Sequence, residues 1–366
     1  MNKPRILFIV PLPPPVHGSA MVSQYIKESR LIQDSFHTEF VNLSTSRQMN
    51  EIGKKGMKKL VRFVGAYFKV LFKLLLHRYD LCYLAITCHG IGFLKDAPFV
   101  LLCKLFGRKV LIHQHNKGMN AYVERWPYRW LFPLVYQHTH VILLSWKLYP
   151  DVEKVVERDQ VRICPNGIPD MPLFAEADTY RPEISQLLFL SNLVESKGVY
   201  VLLDACKLLK ERGYRFVCHW VGGESKEITR QVFEEEVRKR GLEGTALYHG
   251  PQYGKEKEAF FRKADIFVQP TFEDCFPLAI VEAMQHGIPV VATSEGAIPD
   301  MVIHEESGYI CERKNAFQLA KSIEKLLNDS DLRKQMGENG CCRYKERYTW
   351  KAFEKCFQGI LSDLLN

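Results

Sequence analysis

Two carboxylates, Asp274 and Glu282, stand eight positions apart, separated by a run that opens Cys275-Phe276-Pro277-Leu278. Proline suits the first position of a helix, where its missing N–H costs nothing. A helix opening at Pro277 would set Leu278 and Glu282 one turn apart on a single face. Asp274 would then stand beside the free N–H groups of the first turn. A carboxylate, a helix N-terminus and a second carboxylate would fall along one line. Carboxylates accept from hydroxyls and the helix end favours an anion, so that line can grip a polyhydroxylated ligand carrying phosphate. Spacing alone leaves a capped helix with Glu282 in water equally open, because acids are common near helix starts.

Strands must hold this stretch in place. Ala264–Gln269 before it and Ile288–Thr293 after it read as buried strands. Near the start, Met1 leads straight into a strand over Arg5–Val10, so no signal peptide is expected. A proline-rich loop carrying Gly18 follows, then an apolar-periodic helix over about Ala20–Ile32. Strand, glycine loop and helix start can cradle a phosphate or a sugar; a proline-stiffened turn explains the same residues. Strands at Leu81–Ile86, Lys109–His113 and His140–Leu144 alternate with helical stretches, which argues for a parallel sheet with helices on both faces. His113 and His115, two apart at a strand's carboxyl end, would share one face there and raise a metal hypothesis.

The stretch Pro165–Pro182 reads as a linker, after which a second alternating set begins at Leu187–Leu190. Ser191–Gly198 follows that strand and leads into a helix over Val199–Arg212. Gly222 and Gly223 end a further strand, and His249-Gly250-Pro251 another. An amphipathic helix is expected over Thr349–Leu365. At 366 residues the chain exceeds one ordinary core and reads as two domains. Eleven cysteines without a Cys-x-x-Cys pair read as reduced thiols in a cytosol.

The net charge of +8 is unevenly spread. From Lys54 to Arg78, basic residues and an apolar helical stripe (Met57, Leu60, Val61, Val64, Phe68, Leu71, Phe72, Leu75) run together without an acid. This basic amphipathic helix suits an anionic membrane surface; a domain helix with its lysines in water is the plain alternative. No nucleic-acid partner is expected, since no aromatic interleaving or known module accompanies the charge. No apolar run is long enough for a spanning helix.

The stretch around Asp274 resembles the signature of retaining glycosyltransferases of family 4. That pattern is carried by Asp274, Phe276-Pro277-Leu278, Glu282-Ala283-Met284 and Gly287-Ile288-Pro289-Val290-Val291. The first acid is usually glutamate there, whereas this chain has Asp274 after Glu273. Ser191-Asn192-Leu193…Lys197-Gly198 resembles the family's Gly-Arg-Leu…Lys-Gly motif, with Asn192 in place of the arginine. Gly296-Ala297-Ile298-Pro299-Asp300 and Asn166-Gly167-Ile168-Pro169 also resemble family segments.

The resemblance implies an α/β fold of two Rossmann-like domains facing an interdomain cleft, the B-type glycosyltransferase architecture. It implies an acceptor-binding domain at 1–173, a nucleotide-sugar domain at 184–347, and a helix at 348–366 crossing back to the first domain. Asp274, Lys197 and His115 would act at the reacting centre. Gly18, Asn192, Gly222, Gly223, Cys275, Phe276, Leu278 and Glu282 would hold a UDP- or GDP-linked sugar. No cofactor and no metal are implied. The reaction would move a hexosyl group, with retention, to a glycan or lipid-linked glycan of bacterial surface polysaccharide, in the cytoplasm or peripherally on the inner face of the plasma membrane. Two alternatives stay open: a catalytically silent, membrane-associated nucleotide-sugar-binding partner, and a metal-dependent hydrolase built on His113 and His115.

Overall fold

Short runs, in most strands of buried Val, Ile, Leu and aromatic residues, form two six-stranded sheets in which every pairing is parallel. Such runs suit strands covered on both faces by helices. The computed structural model describes residues 3–14, 18–44, 57–170 and 184–366. These divide into two compact units, 1–166 with 351–366, and 167–350.

The first unit runs β1 (Arg5–Val10), α1 (Gly18–Glu28), α2 (Arg30–Ser35), β2 (His37–Asn42), α3 (Met57–Leu76), β3 (Leu81–Ile86), α4 (Gly90–Leu105), β4 (Lys109–Gln114), α5 (Tyr128–Tyr136), β5 (His140–Leu143) and β6 (Val161–Ile163). Its sheet order is β2-β1-β3-β4-β5-β6. The second unit runs β7 (Ser185–Leu190), α6 (Val199–Glu211), β8 (Phe216–Val221), α7 (Arg230–Lys239), β9 (Ala246–Tyr248), α8 (Gly254–Lys263), β10 (Ile266–Gln269), α9 (Leu278–Gln285), β11 (Val290–Thr293), α10 (Ile298–Met301), β12 (Gly308–Cys311), α11 (Ala316–Asn328) and α12 (Ser330–Arg347). Its order, β12-β11-β10-β7-β8-β9, is that of a doubly wound dinucleotide-binding sheet. The last helix, α13 (Trp350–Leu365), returns to the first unit. There Phe357 packs on Tyr83 at 5.2 Å and on Phe353 at 5.6 Å between ring centroids.

Three local expectations are corrected. The single helix expected over Ala20–Ile32 is two, because Ser29 leaves helical geometry to cap α2 through its hydroxyl on Ile32 N. Pro277 is not the first helical residue. It stays extended (φ −70°, ψ 107°) as the cap, and α9 begins at Leu278. Of the expected linker, Gly167–Asp170 is fixed to the second unit. There Ile168 N donates to Tyr348 O at 3.0 Å and Tyr344 Oη to Asp170 Oδ1 at 3.0 Å. Residues 171–182 lie outside the described residues, as do Lys54 and Lys55 of the basic stripe.

Along α3 the stripe is laid out differently from an ordinary surface helix, which buries its apolar side. Only Val70 and Leu74 are buried, while Leu60, Val64, Phe68, Phe72 and Leu75 face water. Lys73 does not belong to the solvated charge: it forms an ion pair with Glu39 of β2.

Candidate functional site

The second sheet reverses its winding between β7 and β10, which pair with each other. Open α/β sheets bind ligands where the order reverses, outside the strands' carboxyl ends. The loops that leave β7 and β10 at that point are laced together. Phe272 N and Thr271 Oγ1 both donate to Ser196 O, at 2.8 and 3.1 Å. Gly198 follows with φ +83°, and a Cβ there would stand 2.1 Å from Pro270 O, so only glycine lets the loops approach this closely.

That lacing sets Lys197 against Asp274. Lys197 Nζ donates to Asp274 Oδ2 at 2.7 Å and to Glu273 O at 3.0 Å. The side chains keep 26% and 17% of their exposure, so the pair is sheltered yet reachable by a ligand. The other carboxylate oxygen, Oδ1, accepts from Cys275 N at 2.9 Å. The expected contact with N–H groups of the helix's first turn is replaced by this local one, because Cys275, Phe276 and Pro277 intervene before α9. Phe276 and Cys275 are buried, Phe276 edge-on to Tyr348 at 6.0 Å, and Leu278 opens α9 half-buried.

A third loop, after β11, steadies Asp274 from behind. Glu295 is 2% exposed. It accepts from Asp274 N at 3.1 Å through Oε1 and from Arg313 at 3.0 Å through Oε2. Gly296, at φ +53°, lies so close that a Cβ would come within 2.3 Å of Asp274 O. Sequence reasoning passed over Glu295. Its one signal was an acid wedged between the buried strand Val290–Thr293 and a glycine, a place where a charge needs a partner.

The loops after β7 and β8 meet in the same way. Asn192 Oδ1 accepts from Gly223 N at 2.9 Å, and Leu193 N donates to Gly223 O at 2.8 Å. Gly222 passes so near that a Cβ would stand 2.0 Å from Ser191 O. Asn192 therefore spends its oxygen on the loop and keeps its NH2 group to donate outward. Glu282, one turn into α9, is not the solvated acid of the plain reading. It pairs with Lys257 of α8 at 2.6 Å and stays 23% exposed. The structure thus joins Lys197 to Asp274 and Asn192 to Gly223, and it gives Glu282 a separate partner.

In the first unit, His115 follows β4 and is half-buried, its ring 4.0 Å from that of His113. His113 is fully buried, with Nδ1 2.7 Å from Tyr83 Oη. Burial, reinforced by His115, pushes its pKa well below the ordinary value, so it remains neutral. It is a core residue, whereas His115 is only half-buried, although both of its ring nitrogens are shielded from solvent. Among the described residues no group of three or more His, Cys, Asp or Glu side chains could hold a metal ion. The hydrolase alternative therefore lacks a ligand set among them. Gly18 is the exposed first residue of α1, just after residues that are not described.

Two all-parallel, doubly wound sheets with loops gathered at a switch point define the B-type glycosyltransferase fold. A crystal structure of Anabaena Alr3699/HepE in complex with UDP shares it, with a TM-score of 0.73 at 16% identity over 99% of this chain and 100% of that one. Residues 180–341 match the family Glycosyl transferases group 1. Over those residues the chain carries the group 1 glycosyltransferase domain, and these residues include Asn192, Lys197, Asp274, Glu282 and Glu295.

Curated relatives match the same region. The uncharacterized glycosyltransferase MJ1178 of Methanocaldococcus jannaschii is 31% identical over 173 residues, covering 47% of this chain and 46% of its own. The capsular polysaccharide biosynthesis glycosyltransferase CapM of Staphylococcus aureus is 25% identical over 184 residues, covering 48% of this chain and 46% of its own. The chain therefore spans about half the length of the curated relatives it matches.

Proposed function

We propose that this protein transfers a hexosyl group, with retention, from a UDP- or GDP-linked sugar to a glycan or lipid-linked glycan acceptor. The observation that carries this reading is the Lys197–Asp274 pair at the switch point of a group 1 domain. A cation and a carboxylate held together there offer the two groups such a donor needs. The ammonium answers the charge that grows on the leaving diphosphate, and the carboxylate accepts from the sugar's hydroxyls.

In this reading the anomeric C–O bond to the diphosphate breaks while the acceptor oxygen bonds to the same face of that carbon. The acceptor's proton passes to the departing phosphate oxygen. Lys197 and the N-termini of α1 and α9 carry the negative charge, Asn192 donates through its NH2 group, and the N–H groups around Gly222 and Gly223 line the phosphate side. Cys275, Phe276 and Leu278 shape the wall beside Asp274, Glu282 takes the ribose hydroxyls, and His115 is the histidine assigned to the donor sugar. With this charge supplied by the protein, turnover is expected to survive EDTA.

A capsule-biosynthesis relative and a UDP-bound structural neighbour support a surface-polysaccharide role and a nucleotide-sugar donor. Eleven free thiols suit a reducing cytosol, and the basic stripe over 54–78 suits peripheral contact with an anionic membrane. Thermal shift against UDP, GDP and their sugars, followed by product analysis at the anomeric carbon, tests the reading. Stabilisation by no nucleoside diphosphate would overturn it, and nucleotide binding without turnover on any acceptor would favour a silent partner.

A further inference from the structure

The helices α3, α4 and α5 follow β2, β3 and β4 and cross the sheet in one direction. Right-handed crossovers therefore lay all three on the same face. They pack side by side: Phe63 and Tyr67 of α3 on Phe99 of α4 at 5.5 and 5.8 Å, and Phe93 of α4 on Phe132 of α5 at 4.6 Å. The outward side of such a layer ordinarily carries charge. Here it does not. Along α4, Ile91 and Leu105 are exposed and Leu94, Pro98 and Leu101 half-buried, an apolar row at steps of three or four flanked by the partly exposed Lys95 and Lys104. Trp130 and Leu134 of α5 are exposed one turn apart, and Trp126 and Leu105 each keep 81% of their area. With the open stripe of α3, three neighbouring helices present one apolar face, the kind that marks an interaction site.

The charge on that layer has one sign. Five lysines or arginines stand on α3, two on α4 and one on α5, against a single acid, Asp96, which is buried. Arg129 lies over the Trp130 ring at 4.9 Å, joining a cation to an aromatic ring as membrane-interface residues do. A second copy of the chain seated here would set bases against bases, since a two-fold interface meets itself.

We infer that the outer face of the α3–α4–α5 layer docks on an anionic lipid surface, apolar side chains in the headgroup boundary and basic ones on the phosphates. This extends the contact proposed for the 54–78 stripe, because α4 and α5 lie outside it and take an equal part. Its meaning for a lipid-linked acceptor rests on the transferase reading; the docking itself does not.

The test is flotation of the full chain with vesicles of equal parts phosphatidylcholine and phosphatidylglycerol, against phosphatidylcholine alone, without nucleotide or acceptor. Binding is expected to the anionic vesicles only and to weaken as salt rises. Leu101→Ser with Leu105→Ser on α4, and separately Trp130→Ser on α5, should each lower it about tenfold or more. Phe317→Ser, an exposed apolar residue of the second unit, should leave it unchanged. All these positions but the half-buried Leu101 are exposed, and unchanged thermal midpoints, measured for every variant, should show that loss of binding does not reflect unfolding. Wild-type protein that ignores anionic vesicles overturns the inference. So does loss with Phe68→Ser on α3 while the α4 and α5 variants bind normally, which would confine the contact to one helix. Self-association in the absence of lipid, abolished by Trp130→Ser, would make the face an interface between copies and equally overturn it. An inactive protein that still floats would keep the surface and sink the transferase reading instead.

Discussion

Lys197 and Asp274, 77 residues apart in sequence, form an ion pair at 2.7 Å across the switch point of the second sheet. In the proposed reading, the cation that would answer a diphosphate is thus held by the acid that would accept from the sugar. A donor carrying both groups can exchange this pair for two contacts of its own, one at each end.

Loss of the ammonium should be felt chiefly in turnover. A hydrogen bond to a charged group contributes about 1.5–3 kcal/mol, so Lys197→Ala should lower kcat/KM roughly ten- to a hundred-fold. Asp274→Asn should lower kcat with little change in nucleotide affinity. Because the two touch, the double variant should lose less than the product of the single losses. Steady-state kinetics with the donor found by thermal shift decides this, and full activity in Lys197→Ala would displace the phosphate site.

Glu282 and Lys257 separate nucleotide binding from helix packing. Glu282→Ala should raise the Kd for the nucleoside diphosphate by about tenfold. Lys257→Met, which removes the partner and keeps the carboxylate, should raise it much less. Calorimetric titration of both variants gives the comparison, and equal losses would assign Glu282 to the α8–α9 contact alone.

Gly198→Ala places a Cβ against Pro270 O in a left-handed backbone. The cost should be of order 1–3 kcal/mol, read as a lower denaturant midpoint, with activity lost alongside because Lys197 is the preceding residue. A variant as stable as wild type would show that the two loops can part without harm.

His219 provides a pH dependence. Its Nδ1 faces His249 Nε2 at 2.8 Å and its Nε2 faces Gln186 Oε1 at 2.7 Å. Burial, with smaller contributions from His249 and Lys263, lowers its pKa from the ordinary 6.5 to about 4. The unfolded chain therefore takes up a proton first as pH falls. The stability contribution is complete above 6.5 and drains away on the way down to about 4. His219→Gln should flatten part of that slope, and an NMR titration should find the imidazole midpoint near 4; a midpoint near 6.5 would refute the half-buried, neutral assignment.

Strands declared themselves in sequence where both faces are covered: the run Arg5–Val10 coincides with β1 and Leu81–Ile86 with β3. Segments with polar or short runs did not, as with β2, whose residues are mostly half-exposed, and β6, of three residues. At the candidate site, residue types and spacing pointed to Asp274, while Lys197 and Asn192 were named through their resemblance to a family motif. Their pairings were not legible. Nothing local says that Lys197 reaches Asp274 or that Asn192 turns its oxygen to Gly223, since both follow from the order of strands in the sheet. Glu295 was hidden for the same reason, its role depending on Arg313 and on an N–H 21 positions upstream. The stripe on α3 was readable as a pattern, but periodicity cannot say which side meets the sheet.

The return of α13 to the first unit fixes an order in time as well as in space. The first unit is interrupted by the whole of the second, and Phe353, Phe357, Ile360, Leu361 and Leu364 of α13 are buried in it. Each such side chain is worth about 1.5–3 kcal/mol when covered. During synthesis the second unit, being continuous, has all its strands and helices as soon as α12 has left the ribosome. The first, although begun earlier, must wait with Tyr83 bare of Phe357 until α13 follows. The earlier-started half of the molecule is therefore the later one to be sealed, and a nascent chain stalled before α13 would show that uncovered patch to chaperones.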